Sequence, residues 1–485
     1  MTFLRIRNKI ACAIVLVAAF SACTKKWDDN NQVTDKNLKN NLYQAISQTT
    51  GLAKFSELLV KSGYDKIISA SKTYTVWAPN DQALQSLDPA VLSDTAKLKQ
   101  FVGNHISNQS YLAGAATGGL RIQMLNGKYN NVTGATFDSA NIVTANQYAN
   151  NGVFHIIDKF IPRYENCWEF LKNSTAVPAM KKYLLSLDTN RLDNPVQIGV
   201  DPTTGKPIYQ PGVGYVLHNN FLDSVMNVSD ELGQYTLVLM TDNTYTTETN
   251  KLLPWFVTST PDSTSNLSQY HLVKDLAFKG IYTPAQLPDS LLSQYGVKTP
   301  MVKSAIVGSY KTSNGIVYIM NQVTFTKENK FPPIFLQGEK PWGFQSDRSS
   351  NTFYRVRYNP VTGKNFNDIL LTNYNAANYF VIYFKKGLNS MRYNASWVAV
   401  NDIQTTPLWQ QRLGYGYIHG DTAFTFTPFT AQTIAYANYN EVYQGQFAFS
   451  SYADRYFLVY GPTTASTTGN NDAITLDYIR LDPAF

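Results

Sequence analysis

Charge and cysteine are both scarce in this sequence of 485 residues. Charged residues make up 15% of it, well below the roughly one quarter that is usual for globular proteins. Three cysteines, Cys12, Cys23 and Cys167, are too few for a disulfide scaffold. The net charge of +7 is spread along the chain without a cluster of lysine and arginine, which argues against nucleic-acid binding. We therefore expect several folds, each held together by a hydrophobic core.

Apolar runs are short throughout the sequence, and the longest one lies near the N-terminus. Arg5, Arg7 and Lys9 precede the apolar run Ile10–Phe20, which is shorter than the roughly 20 residues of a membrane helix. A basic start, a short apolar stretch and small residues predict a secretory signal peptide over residues 1–22. The segment "FSAC" resembles the lipobox of bacterial lipoproteins and implies a lipid on Cys23. The alternative is an ordinary signal peptide with an incidental cysteine.

Residues 23–36 are polar and predict a flexible tether. Lys26, Asp28 and Asp29 follow Cys23 closely, which resembles the surface-export signal of Bacteroidota lipoproteins. This resemblance implies an outer-membrane lipoprotein that is exposed on the cell surface. A plain solvated tether, with the protein on the periplasmic side, is the alternative.

Helical and strand-like patterns alternate in residues 37–164. Leu38, Leu42 and Ile46 follow helical spacing, and Thr73–Asp81 predicts a strand that Pro79 stops. Asn126-Gly127 separates two strand-like runs and predicts a tight hairpin, because this pair accepts the positive φ angles of such a turn. The segment therefore predicts an α/β domain.

Two motifs of this segment resemble the fasciclin domain. They are "YTVWAPNDQAL" (Tyr74–Leu84) and "NGVFHIIDKFIP" (Asn151–Pro162), with a helix ending at His105 between them. The resemblance implies a fasciclin-type domain over residues 37–164. It also implies a role in adhesion or extracellular binding rather than catalysis.

Both motifs recur later in the chain. "YTLVLMTDNTY" begins at Tyr235 and "NGIVYIMN" contains Gly315; the separation is 80 positions (315 − 235), against 78 (152 − 74) in the first copy. Repetition in order at nearly equal spacing indicates a duplicated domain. We therefore expect a divergent fasciclin-type domain over residues 165–330. In it, Leu239-Met240 replaces Ala78-Pro79, and Tyr318 replaces His155. An insertion near residues 189–215, rich in Gly, Pro, Asp and Thr, is a candidate contact surface.

The C-terminal part of the chain has a different sequence pattern. After a predicted linker at residues 331–341, short strand-like runs separated by turns predict a β-sandwich over residues 342–485. Its last segment, "DAITLDYIRLDPAF" (Asp472–Phe485), resembles the final strand of galactose-binding-like jelly rolls, which are common among carbohydrate-binding modules. The predicted fold class is α+β: two fasciclin-type α/β domains followed by an all-β sandwich of the jelly-roll kind.

Signatures of catalysis, metal binding and cofactor binding are missing from the sequence. The five histidines have no metal-ligand spacing, and neither a nucleophile elbow, a phosphate loop, a dinucleotide fingerprint nor a Cys-x-x-Cys occurs. We expect no catalytic residue, no metal and no cofactor. His105 and His155 are expected to be hydrogen-bonded structural residues, and Cys167 a buried small apolar one.

Aromatic residues of the C-terminal part are the candidate ligand contacts. Sugar rings stack their C–H faces on aromatic rings, while polar side chains bond the hydroxyls. The candidate set combines these two kinds of residue: Trp397, Trp409, Arg412, Tyr415, Tyr417 and Asp421. The alternative is that a tyrosine-rich sandwich uses these rings in its core.

Three functional hypotheses follow. The first is a non-catalytic surface lipoprotein that binds an extracellular glycan, such as a polysaccharide, or a protein. It would be an accessory to a Sus-type uptake complex with its TonB-dependent transporter and that transporter's lipoprotein. The second is a structural adhesion protein that docks other envelope proteins. The third is a glycan hydrolase, which needs two carboxylates that meet in space; its candidates are Asp347, Asp368, Asp402, Asp421, Glu441 and Asp454.

Overall fold

The computed structural model describes residues 36–116, 118–374, 376–419, 423–463 and 473–485. The predicted signal peptide, Cys23 and nearly all of the tether lie outside these residues. The chain divides into two compact units. Unit 1 takes residues up to Asn166 with the short segments Asp230–Leu232 and Thr312–Asn314, and unit 2 takes the rest up to Phe485. Among the described residues, no helix has both the length and the apolar character needed to cross a bilayer.

Unit 1 is built around a seven-stranded sheet. Its strands are β1 (Tyr74–Pro79), β2 (Ile106–Ser107), β3 (Leu120–Gln123), β4 (Tyr129–Val132), β5 (Thr136–Phe137), β6 (Ala140–Ala149) and β7 (Gly152–Ile157). Their order in the sheet is β2-β1-β7-β6-β5-β4-β3. The predicted Asn126-Gly127 hairpin is present between β3 and β4, with Gly127 at a φ of 83°. The predicted strand before Asn80 ends at Pro79, as expected.

Helices cover one part of this sheet. They are α1 (Leu42–Ser47), α2 (Ala53–Ser62), α3 (Tyr64–Ile68), α4 (Pro89–Ser93) and α5 (Thr95–Gly103), with short 3₁₀ turns at Lys36–Lys39, Ala83–Ser86 and Ala113–Ala116. Asn41 begins α1 with a capping box, and Asp94 caps α5 by accepting from two backbone N–H groups. Their apolar faces form one core with strand β1, in which Phe55 and Val102 are fully buried.

The second α/β region, residues 165–330, contains the same kind of sheet. Its central strands are β12 (Tyr235–Met240), β13 (Ala277–Lys279), β16 (Ile306–Thr312) and β17 (Gly315–Met320), in the order β13-β12-β17-β16. A small hairpin joins β14 (Ser290–Leu292) to β15 (Lys298–Pro300). The helices are α6 (Cys167–Asn173), α7 (Pro178–Ser186), α8 (Asn220–Ser224), α9 (Asp242–Leu252), α10 (Pro261–Val273) and α11 (Lys327–Lys330), with 3₁₀ turns at Leu253–Trp255 and Lys303–Ala305. Cys167 is fully buried, as predicted.

The duplicated octet has the same place in both sheets. Strands β1 and β7 run parallel with Tyr74 opposite Gly152, and β12 and β17 run parallel with Tyr235 opposite Gly315. The strand order β2-β1-β7-β6 of unit 1 matches β13-β12-β17-β16 element by element. The predicted duplication is therefore confirmed down to the pairing register.

A buried threonine repeats its hydrogen bonds in the two copies. Thr75 and Thr236 follow the first tyrosine of each motif and are both 0% exposed. Each hydroxyl donates to a backbone carbonyl and accepts from the amide two residues later, over 2.6–3.0 Å: Gln109 and Tyr111 for Thr75, Gly280 and Tyr282 for Thr236. The side chain thus fixes the segment after β2 or β13 to the central strand.

The exchange of His155 for Tyr318 preserves one hydrogen bond. The Nε2 atom of His155 lies 2.9 Å from the carbonyl oxygen of Tyr111, and the hydroxyl of Tyr318 donates to the carbonyl of Tyr282 at 2.7 Å. The two carbonyls belong to equivalent segments. Two different side chains therefore satisfy the same backbone acceptor, and His155 is structural, as predicted.

The insertion of the second region forms two β-ribbons. Strand β8 (Asp188–Leu192) pairs with β11 (Tyr215–Asn219), and β9 (Gln197–Val200) pairs with β10 (Pro207–Tyr209). Nine large apolar side chains on them or directly beside them are more than one third exposed: Leu192, Val196, Ile198, Val200, Ile208, Tyr209, Tyr215, Val216 and Leu217. The insertion, which the sequence marks as a candidate contact surface, thus consists of two ribbons with exposed apolar side chains.

Among the described residues of the C-terminal region, the regular elements are β-strands apart from one 3₁₀ turn, Ser349–Asn351. Its strands are β18 (Ile334–Gln337), β19 (Gly343–Phe344), β20 (Thr352–Asn359), β21 (Lys364–Leu371), β22 (Phe380–Leu388), β23 (Arg392–Val398), β24 (Gln410–His419), β25 (Ala423–Pro428), β26 (Gln432–Thr433), β27 (Val442–Ala448), β28 (Ala453–Tyr460), β29 (Ile474–Leu476) and β30 (Tyr478–Ala484). One sheet has the order β18-β30-β23-β27, a second β19-β22-β28-β24-β25, and a third β20-β21-β29.

The first two sheets pack face to face. Phe447 of β27 stacks on Tyr415 of β24 at a centroid distance of 4.6 Å and touches Phe457 of β28 at 5.8 Å. These rings join one core that also holds Leu413 and Leu481. Two antiparallel sheets sharing a core make a β-sandwich, so the predicted fold class is confirmed.

The predicted linker at residues 331–341 is corrected by the structure. Ile334–Gln337 is strand β18 and pairs with β30 over four residues. Leu336 is buried in the same core cluster as Leu237 of the second α/β region. A segment rich in proline and glycine was predicted to be a linker, but its alternating apolar residues complete the sheet.

Candidate functional site

The structure separates the predicted ligand residues into three groups. Trp397 and Trp409 are 1% and 2% exposed, so neither ring offers a face to a ligand. Both belong to the core of the sandwich. The prediction that the two tryptophans contact a ligand is therefore corrected. Large aromatic side chains on the inner face of a sandwich pack in its core.

Arg412 occupies the other face of strand β24. Side chains alternate along a strand, so Arg412 points away from the face that carries Tyr415 and Tyr417. Its Nη2 donates to Asn378 Oδ1 at 2.6 Å, and its guanidinium lies 5.0 Å from the ring centre of Tyr460. The structure therefore does not bring Arg412 together with the two tyrosines. Asp421 lies outside the described residues.

Tyr415 and Tyr417 do come together, in what we call the aromatic groove. This groove has a volume of about 810 Å³. Tyr415 is half-buried against the core, whereas Tyr417 is 38% exposed. The lining combines aromatic, hydroxyl and charged side chains: Tyr415, Tyr417, Thr425, Thr427, Phe449, Ser450, Ser451, Asp454 and Arg455. Aromatic faces beside hydroxyl and charged groups suit a ligand that has both C–H faces and hydroxyls.

Arg455 is the unusual member of the groove, because it is a charged side chain that is only 6% exposed. Its guanidinium lies 4.2 Å from the ring centre of Phe449 and 5.7 Å from that of Tyr417. Nη2 donates to the carbonyl and the hydroxyl of Ser451 at 2.8 and 3.1 Å. Burial lowers the pKa of Arg455, and the group stays charged at neutral pH because its reference pKa is far above 7.

The hydrogen bonding of Arg455 is incomplete. Its Nε is buried and has no acceptor among the described residues. In the part of the chain that the structure describes, the guanidinium forms no ion pair with a carboxylate; Asp454, the neighbour in sequence, instead accepts from the amide of Gly387 at 2.8 Å. Buried polar groups are normally satisfied, so the unpaired Nε of Arg455 is an exception among the residues that line the groove.

Other carboxylates considered for hydrolysis are engaged in ion pairs or turns. Asp368 is fully buried and binds Arg355 and Arg357 at 2.6 and 2.8 Å, and Asp402 binds the same two arginines at 3.0 and 3.1 Å. Two further candidates also have partners. Glu441 pairs with Arg480, and Asp347 accepts a hydrogen bond from the amide of Ser349. Within the described residues, no cluster of three or more His, Cys, Asp or Glu side chains could hold a metal ion.

Ionisation of the buried Asp477 makes the stability of the protein depend on pH. It is 6% exposed, and burial, with Asp368 and Glu339 nearby, raises its pKa to about 7 against the weaker opposing effect of Arg357. The folded state thus holds the proton more tightly than the unfolded chain, whose aspartates titrate near pH 4. Stability should fall as the pH rises from about 4 to 7.

We expect Asp477→Asn to raise the free energy of unfolding at pH 8 by about 3 kcal/mol. At pH 4, where Asp477 is protonated, the variant should match the native protein. Urea unfolding of the full chain at both pH values measures the difference. The control is Asp482→Asn, a more exposed, arginine-paired carboxylate on β30, for which a change of at most about 1 kcal/mol is expected. Equal effects of Asp477→Asn at the two pH values would contradict this account.

The histidine prediction is confirmed for His105 as well. The side chain is fully buried, lies 2.9 Å from the carbonyl of Phe101 through Nδ1, and accepts from the amide of Ile161 at 3.1 Å through Nε2. Burial lowers its pKa to about 4. His105 is therefore a neutral connector between α5 and the segment after β7.

Comparison with known proteins supports part of this description. Residues 50–162 match the fasciclin domain family, so the chain contains a fasciclin domain at the place where the motifs predicted it. No curated protein matches the chain.

Solved structures give weak matches. The fasciclin-domain pair of the insect cell adhesion molecule fasciclin I is 16% identical over 58% of this chain and 99% of that chain, with a TM-score of 0.23. The CBM22-2 xylan-binding domain from Paenibacillus barcinonensis is 9% identical. The match covers 31% of this chain and 99% of that chain, with a TM-score of 0.25. A family 35 carbohydrate-binding module from Clostridium thermocellum is 12% identical. The match covers 32% of this chain and 100% of that chain, with a TM-score of 0.21. Scores this low support no inference about function.

Proposed function

We propose that the C-terminal β-sandwich binds a glycan in the aromatic groove. The observation that carries this proposal is Arg455, which lines the groove, lies near the rings of Phe449 and Tyr417, and has a buried Nε without an acceptor among the described residues. Glycan hydroxyls and ring oxygens supply acceptors, and the C–H face of a sugar packs on a ring such as Tyr417. The fasciclin domain is consistent with the same class of function, extracellular binding.

The test is a polysaccharide panel with the full chain, followed by titration of the best ligand. Tyr417→Ala should lower the affinity about tenfold, which corresponds to ~1.4 kcal/mol. Arg455→Met should lower it further, because it removes the donors and keeps much of the side-chain volume. The matched control is Tyr443→Ala, which removes a ring that is 57% exposed on β27 of the other sheet and should leave the affinity unchanged. A native protein that binds nothing in the panel would refute the proposal, as would equal losses from Tyr417→Ala and Tyr443→Ala.

We further propose that the protein acts on the cell surface as a lipoprotein anchored through Cys23. A polysaccharide binder in that position suits an accessory role beside a TonB-dependent transporter and its lipoprotein. Labelling of cells with a fatty-acid analogue should mark the native protein and not Cys23→Ala. Gentle detergent purification from the native membrane should recover a transporter together with the protein; recovery of the protein alone would argue for a free-standing glycan binder.

A second candidate function is docking of another envelope protein by the β-ribbons of the insertion. It is favoured by the nine exposed apolar side chains of residues 192–217. Leu192 pairs directly with Tyr215, so an Asn-Gly turn in place of residues 193–214 should close the β8–β11 ribbon and remove β9 and β10. Loss of a co-purifying protein in this variant, with glycan binding intact, would support docking. Unchanged association, in this variant and in one that also changes Leu192 and Leu217 to serine, would refute it.

A further inference from the structure

A second cavity lies inside unit 2, where the second α/β region meets the β-sandwich. Its volume is about 350 Å³. Lysines from three parts of the chain line it: Lys274 at the end of α10, Lys330 at the end of α11 and Lys385 on strand β22. Phe256, Phe331 and Asp275 also contribute to its wall. We call this site the lysine cavity.

The positive charges of the lysine cavity are not balanced. Asp275 is completely buried and already satisfied, since Lys330 Nζ and Ser293 Oγ donate to its two oxygens at 2.6 and 2.7 Å. Lys274 places its ammonium 4.5 Å from the ring centre of Tyr295. In the described part of the chain, neither Lys274 nor Lys385 has a carboxylate within ion-pair distance. Three lysines face one carboxylate, which leaves an excess of two positive charges.

The walls of the cavity are fixed before any ligand arrives. The amide of Ser390 donates to the carbonyl of Trp255 at 3.1 Å, and the amide of Tyr452 donates to the carbonyl of Val257 at 2.7 Å. One continuous apolar core contains Phe256 together with Tyr393 of strand β23. Backbone bonds and a shared core hold the backbone segments of the wall in place, so ordering these segments adds little cost to binding.

The charged forms of Lys274 and Lys385 are disfavoured inside the cavity. Burial lowers the pKa of Lys274 to about 8; Asp275 opposes this shift, while Lys330 and Lys385 reinforce it. Burial also lowers the pKa of Lys385. His271, on the same wall, is uncharged at neutral pH because burial lowers its pKa to about 2. Every cation here would gain from a negative charge placed among them.

We propose that the lysine cavity binds a small oxyanion, a carboxylate or a phosphate, between Lys274 and Lys385, with any organic body packed against Phe331 and the prolines that follow it. Lys330 is engaged with Asp275 and contributes its charge rather than a free hydrogen bond. The volume limits the ligand to a small molecule or the end of a larger one. This site is separate from the aromatic groove, and the proposal does not depend on glycan binding there.

The test uses the full chain in a buffer free of multivalent anions, titrated calorimetrically at pH 7 with sodium glucuronate and, separately, with inorganic phosphate. We expect saturable binding of at least one. Binding of glucuronate alone would identify a site for organic acids, and binding of phosphate alone a phosphate site. Lys274→Gln and Lys385→Gln should each weaken binding at least about tenfold. Lys386→Gln, which changes the exposed neighbour on the same strand, should have no effect.

The proposal is overturned if neither anion binds saturably, or if Lys386→Gln weakens binding as much as Lys385→Gln. A second measurement needs no variant. The glucuronate carboxylate keeps its charge between pH 7 and pH 9.5, whereas Lys274 loses its proton over this range. Affinity of the native protein should therefore fall at least about fivefold. Affinity that stays constant over this range would also overturn the proposal.

Discussion

Replacing Gly152 with alanine is expected to lower the free energy of unfolding of unit 1 by at least about 3 kcal/mol. A Cβ at this position would lie 2.1 Å from the carbonyl oxygen of Tyr74 and 2.8 Å from Leu42 Cδ1, and the φ of Gly152 is 154°. Both the crowding and the backbone angle oppose any side chain. Because β1 and β7 are adjacent interior strands that carry core residues, they cannot separate without opening the core.

Hydrogen exchange of the β1 and β7 amides, together with urea unfolding of the full chain, measures this loss. Gly114→Ala is the matched control, because Gly114 is exposed and an added Cβ meets no atom within 4 Å. Gly315→Ala separates the two causes: its Cβ would lie 2.0 Å from Tyr235 O, but its φ is outside the left-handed range. We expect a smaller loss there. A change of less than about 1 kcal/mol at Gly152 would show that the parallel pair adapts.

The second large effect is expected from Lys330→Met. The variant leaves Asp275 buried without its cation, and removing one partner of a buried ion pair costs about 3–5 kcal/mol. Side-chain exposure is 3% for Lys330 and 0% for Asp275, so the pair is shielded from solvent in the native fold. Urea unfolding of the full chain should show the loss in the transition of unit 2.

A double variant shows whether the unpaired charge is the cause. Lys330→Met combined with Asp275→Asn removes the carboxylate charge and keeps an acceptor for Ser293. It should recover more than half of the loss. The same Lys→Met change at Lys61, whose pair with Glu57 is exposed at the surface, should cost at most about 1 kcal/mol. If the double variant is no more stable than the single one, lost packing rather than charge would explain the effect.

The sequence predicted the two α/β regions well because their motifs carry backbone requirements. The glycine of each octet is where one strand approaches the carbonyl of Tyr74 or Tyr235, and no other residue fits there. Such a requirement leaves a mark at a fixed place in the chain. The two repeated motifs and their nearly equal spacing therefore located the duplicated strands. The exchange of His155 for Tyr318 became understandable only when the two side chains were seen to bond equivalent carbonyls.

Only two of the six candidate ligand residues, Tyr415 and Tyr417, line the aromatic groove, and strand β24 shows why. Trp409, Gln411, Leu413, Tyr415 and Tyr417 share one face by alternation. The first three are buried, Tyr415 is half-buried and Tyr417 is exposed. Where along this face the core ends depends on the opposing sheet, which the sequence of β24 does not contain. Alternation therefore tells which residues share this face, but not where along it the core ends and the groove begins.

Arg455 and the lysine cavity were missed because nothing local marks them. Arg455 follows Asp454 in an ordinary strand, and a buried arginine looks like an exposed one in sequence. Lys274, Lys330 and Lys385 are more than 50 positions apart from one another. They meet because the α/β region and the sandwich share one core, which a segment-by-segment analysis treats as separate.

The position of β18 has a practical consequence for anyone producing the sandwich alone. A recombinant fragment that starts at residue 342, where the composition changes, lacks the edge strand that pairs with β30. Its four unpaired residues on β30 would become an open edge, which invites other chains to add to the sheet. Such a fragment should precipitate or form oligomers in size-exclusion chromatography, whereas one that begins before Ile334 should stay soluble for longer.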